Sequence, residues 1–337
     1  MIKNKKSFQR RNLPAVVLLI LMVPVLSSWG SYGHKHINRA AVLALPAPMR
    51  SFFYNHIDFM TEEATIPDVR KYTLRNKDEA PRHFIDLENF GGSVDDLPMT
   101  LKEARLKYGA DFLHHNGILP WMLEQTEKNL TEAFKEKDKS KILYLSADLG
   151  HYVGDAFVPL HTSSNYDGQQ TGQRGIHAFW ESQIPELLGA HFNYYCPKVD
   201  YIADVHRLIW STIAHTHSLV GPLLKADKEL KQSFDGAVYK KDANGEIVKN
   251  RYHVPVHTDA YARAYFDQLD GMIPQQLNGA ICLTARLWYT AWVNAGKPDL
   301  SKLDPAAQTA SNKRRLRKEL KLYRKGMLED IRIKSEF

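Results

Sequence analysis

Cysteine is nearly absent, at two of 337 residues, which excludes a disulfide-dense scaffold. Two-residue alternation of apolar and polar positions is scarce, which argues against a chain built from half-buried strands. No internal repeat of 20 to 50 residues is visible, so a solenoid or propeller is not indicated. The apolar run from Leu13 to Leu26, broken by Pro14 and Pro24, is too short to span a bilayer as a helix. Apolar material itself is plentiful: 44% hydrophobic and 25% charged residues supply a sizeable core and exclude disorder as the dominant state.

The formal charge of +7 does not describe a uniformly basic surface. Lys3, Lys5, Lys6, Arg10 and Arg11 crowd the first eleven residues with no acidic residue among them, ahead of the Leu13 to Leu26 run and the small residues Ser27 and Ser28. This pattern predicts a signal peptide over 1–28, cleaved before Trp29, and export to a periplasmic or secreted location. No cysteine follows the run, so a lipoprotein anchor is not suggested. From Asn312 to Phe337 the net charge is +6, and the body from Trp29 to Ser311 is then −4. A broad basic nucleic-acid groove is not what this distribution describes.

Helix-period spacing recurs through the body. Ile142, Leu145, Leu149, Tyr152 and Val153 define one helix, Leu208, Ile213 and Leu219 a looser one, and Ile281 to Trp292 a long one ending near Gly296 and Pro298. The expectation is an all-α, mainly helical single domain over 29–300. Turn-rich loops are expected at Asn89 to Asp96, Thr162 to Gly175 and Asp235 to Tyr252. The tail, 301–337, reads as basic and amphipathic, with Leu316, Leu320, Tyr323, Met327 and Ile331 on one helical stripe. Such a helix docks on the body or meets an anionic surface. Cys196 and Cys282 could pair in an oxidising compartment, but sequence does not show their proximity.

The chemistry concentrates in histidines and carboxylates. His151 and Asp155 are four apart on a predicted helix, His161 follows just past Pro159, and His177 and Glu181 repeat the four-residue spacing. Residues at that interval converge on one point, as two ligands of one ion must. Five such residues within 31 positions, with no cysteine nearby, point to a zinc site of nitrogen and oxygen donors. Asp68 and His83 lie upstream, the latter in His83-Phe84-Ile85-Asp86-Leu87. Trp29-Gly30-Ser31-Tyr32-Gly33-His34 stands at the expected mature terminus.

In that order these motifs resemble the superfamily that unites fungal single-strand-specific nucleases with bacterial zinc-dependent phospholipase C. The resemblance runs from Trp29 to at least Glu181. It implies a mostly helical fold and three zinc ions per chain that cleave phosphate esters through a metal-activated hydroxide, with Asp68 able to orient or deprotonate the water. Carried over by position, Asp68, His83, His151 and Asp155 would hold the first ion. His161, His177 and Glu181 would hold the second. The amino group and carbonyl oxygen of Trp29, with His34 and a bridging Asp155, would hold the third. The amine ligand would exist only after signal-peptide removal.

Substrate is less determined. The five-residue step from Trp29 to His34 is nuclease-like, as is His83-Phe84-Ile85-Asp86, which implies that Phe84 stacks on a base and Asp86 hydrogen-bonds it. Phe84 reads equally well as core packing. Glu181 in place of Asp, and the interval of sixteen between His161 and His177, are phospholipase-like. The first reading is therefore an exported single-strand-preferring endonuclease, with single-stranded nucleic acid or nucleotides as substrate. A phospholipase C acting on phospholipid is the alternative, and a non-catalytic zinc-binding surface protein the second. No protein partner is evident. His36, His114, His115, His191, His215, His217, His253 and His257 read as surface or core residues.

Overall fold

The computed structural model describes residues 30–91, 93–250, 253–331, 333 and 335. The expected leader and Trp29 lie outside the described residues. The chain is 68% helical and forms no strand among the described residues, as an all-α reading expects.

The architecture is organised around the helix Lys139–Ala156, which buries side chains on almost every face. It follows the helix Leu119–Glu136 across a tight reversal. Lys137 takes a left-handed conformation that ends the first helix, and the Asp138 carboxylate caps the second by accepting from the Lys141 amide. The two helices form a hairpin against which Gly30–Ala44 and Met272–Asn294 pack. Close approach depends on two glycines one turn apart. A Cβ on Gly150 would stand 1.9 Å from Asn38 Oδ1, and one on Gly154 would stand 2.9 Å from His34 Nδ1. The missing side chains admit the leading helix, and with it His34, to the centre of the molecule.

The expected helices at 142–153 and 281–292 fall within Lys139–Ala156 and Met272–Asn294, and Val205–Ser218 carries Leu208 and Ile213. Between Asp235 and Thr258 the chain forms a small bridged ribbon, pairing Tyr239 with His257, Lys241 with Ile247 and Lys249 with Pro255. Cys196 and Cys282 form a disulfide that ties the extended segment before Val205 to the long Met272–Asn294 helix.

The tail is docked. Its helix, Ala310–Tyr323, buries Glu319 completely between Arg39 (Nε to Oε1 2.5 Å, Nη2 to Oε2 2.8 Å) and Tyr54 Oη (2.7 Å). Tyr323 belongs to the same hydrophobic cluster as Ile37 of the leading helix. The expected stripe is shorter than its spacing suggests. The helix stops at Tyr323, Gly326 turns left-handed, and Met327 is 43% exposed. Leu316, Leu320 and Tyr323 face the body, together with a paired charge that an apolar pattern cannot reveal.

Candidate metal centre

Seven local elements deliver the predicted ligands to one buried region. The last turns of Lys139–Ala156 carry His151 and Asp155, both fully buried. The turn Pro159–Thr162 carries His161, and the turn Ala80–His83 ends on His83. Asp68 closes Ile66–Asp68. His177 and Glu181 lie on the consecutive turns Ile176–Ala178 and Phe179–Gln183. His34 comes from the first turns of Gly30–Ala44.

One group forms around Asp155. Its Oδ2 lies 3.0 Å from His83 Nδ1 and 3.3 Å from His151 Nε2, and those two nitrogens are 3.1 Å apart. Asp68 Oδ1 stands 3.7 Å from His83 Nδ1 and 4.0 Å from His151 Nε2. A second group comprises His161 Nε2 and His177 Nε2, 3.1 Å apart, with Glu181 Oε2 at 3.5 and 3.0 Å from them. His34 stacks on His151 with ring centroids 3.9 Å apart and brings Nε2 to 3.6 Å from Asp155 Oδ1. The same carboxylate oxygen is 3.7 Å from His161 Nδ1, so Asp155 stands between the groups.

These distances suit zinc. Two donors about 2.0–2.1 Å from a tetrahedral ion are about 3.3 Å from each other. The proton inventory leads the same way. His151 Nδ1 donates to the Ala64 carbonyl at 2.8 Å and His161 Nδ1 to the His83 carbonyl at 2.6 Å, so in each neutral ring Nε2 is a bare lone pair aimed inward. Asp68 Oδ1 and both carboxylate oxygens of Asp155 are buried without a hydrogen-bond partner. A proton can serve one pair of such atoms. A cation serves three or four at once, and the donor set fits one.

Burial and mutual charge set the protonation of these groups. Burial raises the Asp68 carboxyl to about 7, although His151 pulls the other way. For His151 with no cation bound, burial would lower the imidazole, but Asp155 and Asp68 prevail and lift it to about 9, so a cation entering the site would displace the Nε2 proton to reach that lone pair. Burial, assisted by Lys71, holds His83 down to about 4.

Trp29 lies outside the described residues, but Gly30 abuts Ser182, the neighbour of Glu181, at a distance where a Cβ would sit 2.6 Å from Ser182 Oγ. His36 is excluded from the site: it is sandwiched between Tyr32 and Tyr194, with Nδ1 donating to the Tyr32 carbonyl. Phe84 and Asp86 are half-buried beside the centre and belong to no ligand group. They run as an extended strip whose carbonyls and amides bond to Asn116, Leu119 and His161. Gly117 makes the strip possible, since a Cβ there would strike the Phe84 carbonyl oxygen at 2.0 Å. Burial, and then Glu88, raises the Asp86 carboxyl to about 7.

Sequence reasoning missed Lys71 and Tyr72. They occupy the wide turn Val69–Thr73 directly after Asp68, with Lys71 Nζ 4.5 Å above the Tyr72 ring. Burial lowers the Lys71 ammonium, opposed by the charges of Asp68, Asp155 and Glu181. Its signal was available: a lysine three residues after a predicted ligand. Comparison with known proteins returns no matching family model and no matching curated relative.

Proposed function

We propose that the chain is a zinc-dependent phosphoesterase, and that it hydrolyses phosphodiester bonds of single-stranded nucleic acid, as its resemblance to the single-strand-specific nucleases implies. The observation that supports this reading is the set of three largely buried groups of possible ligands, His34 with Asp68 and His151, His83 with His151 and Asp155, and His161 with His177 and Glu181.

Asp68, His83, His151 and Asp155 would hold one ion, His161, His177 and Glu181 another, and His34 with Asp155 a third, completed by Trp29. Zinc supplies Lewis acidity toward the phosphoryl oxygens and lowers the pKa of coordinated water toward neutrality. The remaining tasks fall to the chain. Asp68 Oδ1, buried and without a hydrogen-bond partner, would orient the attacking water and take its proton. The Lys71 ammonium faces the charge of the phosphate. Phe84 offers a ring face to an unpaired base, and Asp86 bonds that base's edge. A base within a duplex is already stacked, which gives the single-strand preference its physical cause.

The phospholipase C reading is favoured by Glu181 and by the interval of sixteen residues between His161 and His177. One assay separates the two. Zinc-loaded mature protein is offered single-stranded DNA, RNA, phosphatidylcholine vesicles and a small artificial phosphodiester. Polynucleotide cleavage is expected, and cleavage of lipid without polynucleotide overturns the nuclease assignment. Inertness toward all four with zinc bound leaves a zinc-binding protein without catalysis.

A further inference from the structure

We propose that Glu79 is a positioning residue for His83, fixing the ring so that Nε2 carries the proton and Nδ1 offers its lone pair to zinc. The proposal rests on the zinc reading above.

His83 is fully buried, and its two ring nitrogens face different surroundings. Nδ1 looks into the centre, 3.0 Å from Asp155 Oδ2 and 3.1 Å from His151 Nε2. Nε2 looks away from it, has no hydrogen-bond partner, and stands 3.6 Å from Glu79 Oε1. That separation is too long for a formed hydrogen bond, and a shift of roughly half an ångström makes it one. A neutral imidazole has a single N–H to place. On Nδ1 it points at the other ligands and blocks an ion. On Nε2 it points at a carboxylate.

Glu79 is held for this purpose from behind. Its Oε2 accepts from Arg70 Nε at 3.0 Å and from Arg82 Nη1 at 3.4 Å, and its Oε1 accepts from Tyr152 Oη. Arg70 is braced in turn by Asp148, at 2.8 and 3.2 Å. Glu79 is 1% exposed, and burying such a charged network costs desolvation that apolar packing would avoid. Its position directly behind one ligand supplies the reason. His151 and His161 have their outward nitrogens fixed by main-chain carbonyls, and Glu79 is the counterpart for His83, with the added effect that a carboxylate strengthens the ring as a donor.

The test combines a variant with a spectrum of the unaltered protein. Zinc affinities of wild type and Glu79→Gln are measured by chelator competition, and the tautomer of His83 is read from long-range proton–nitrogen correlation in 15N-histidine-labelled wild type. The expected result is a loss of about 10- to 100-fold at one ion with the other two unchanged, and a proton on His83 Nε2. A proton on Nδ1, or three zinc ions bound by the variant with wild-type affinity, overturns the proposal alone. Wild type that binds no zinc overturns the metal reading as well. If the variant does not fold, the wild-type spectrum decides.

Discussion

His161 and His177 are sixteen residues apart in sequence, yet their Nε2 atoms stand 3.1 Å apart across a point that Glu181 also faces. His161 has committed its other nitrogen to the His83 carbonyl, so its Nε2 offers a lone pair at the meeting point, as the proposed zinc site requires. Replacing His161 with Ala should remove one zinc and lower phosphodiester hydrolysis by more than about 100-fold, beyond the usual effect of losing an outer-shell partner. Metal analysis alongside the activity assay checks this, and full activity with full metal content would reject the assignment.

Gly154 links the fold to the centre. Its substitution by Ala sets a methyl 2.9 Å from His34 Nδ1 and 3.2 Å from Ile37 Cδ1. The expected cost is about 1–3 kcal/mol in urea unfolding, together with weaker binding of the ion that His34 would ligate. An unchanged midpoint and unchanged zinc affinity would show that the leading helix shifts freely.

Phe84 distinguishes stacking from packing. Phe84→Ala should weaken binding of single-stranded oligonucleotides by about 1–3 kcal/mol and leave hydrolysis of a small phosphodiester without a base nearly unchanged. Equal losses on both substrates, with lowered thermal stability, would mean that the ring serves only the core.

Acid should destabilise the fold through histidines outside the centre. Burial lowers His36 to about 4 and His257 to about 3. Both stay neutral in the folded chain while the unfolded chain titrates near 6.5, so their contribution is complete above that pH. It is lost as pH falls from about 6.5 toward 4 for His36 and toward 3 for His257, because only the unfolded chain takes up the protons there, and it amounts to on the order of 3 and 5 kcal/mol respectively. Thermal melts across this range should show the decline, and His257→Phe should flatten part of it. Identical profiles for the two proteins would count against the assignment.

The tail helix is held by a buried ion pair. Glu319→Ala leaves buried Arg39 with only the longer contact to Glu329 at 3.5 Å and should cost about 3 kcal/mol, read from urea unfolding. A loss below about 1 kcal/mol would mean that the tail contributes little to the core.

The helical architecture was legible because apolar residues in segments such as Ile142 to Val153 repeat at three and four. The closeness of His151 to Asp155 and of His177 to Glu181 was legible for the same reason, since a helical turn brings positions four apart together. Helix geometry separates His34 from His36, as residues two apart point about 200° from one another, but which of the two faces the centre is visible only in the fold. Other features needed three dimensions. Glu319 reads as a solvated charge until Arg39 and Tyr54 close around it. Glu79 stands four residues before His83, but its bracing by Arg70 and Tyr152 appears only in the fold, and the pairing of Cys196 with Cys282 depends on how the segment before Val205 crosses the long helix.

The most direct test of the central claim is the zinc content of the mature protein, measured by native mass spectrometry after zinc loading and desalting. Three ions per chain are expected for wild type and two for His161→Ala. A wild-type chain that retains no zinc while folded would contradict the metal centre, and with it the hydrolytic chemistry assigned to these residues.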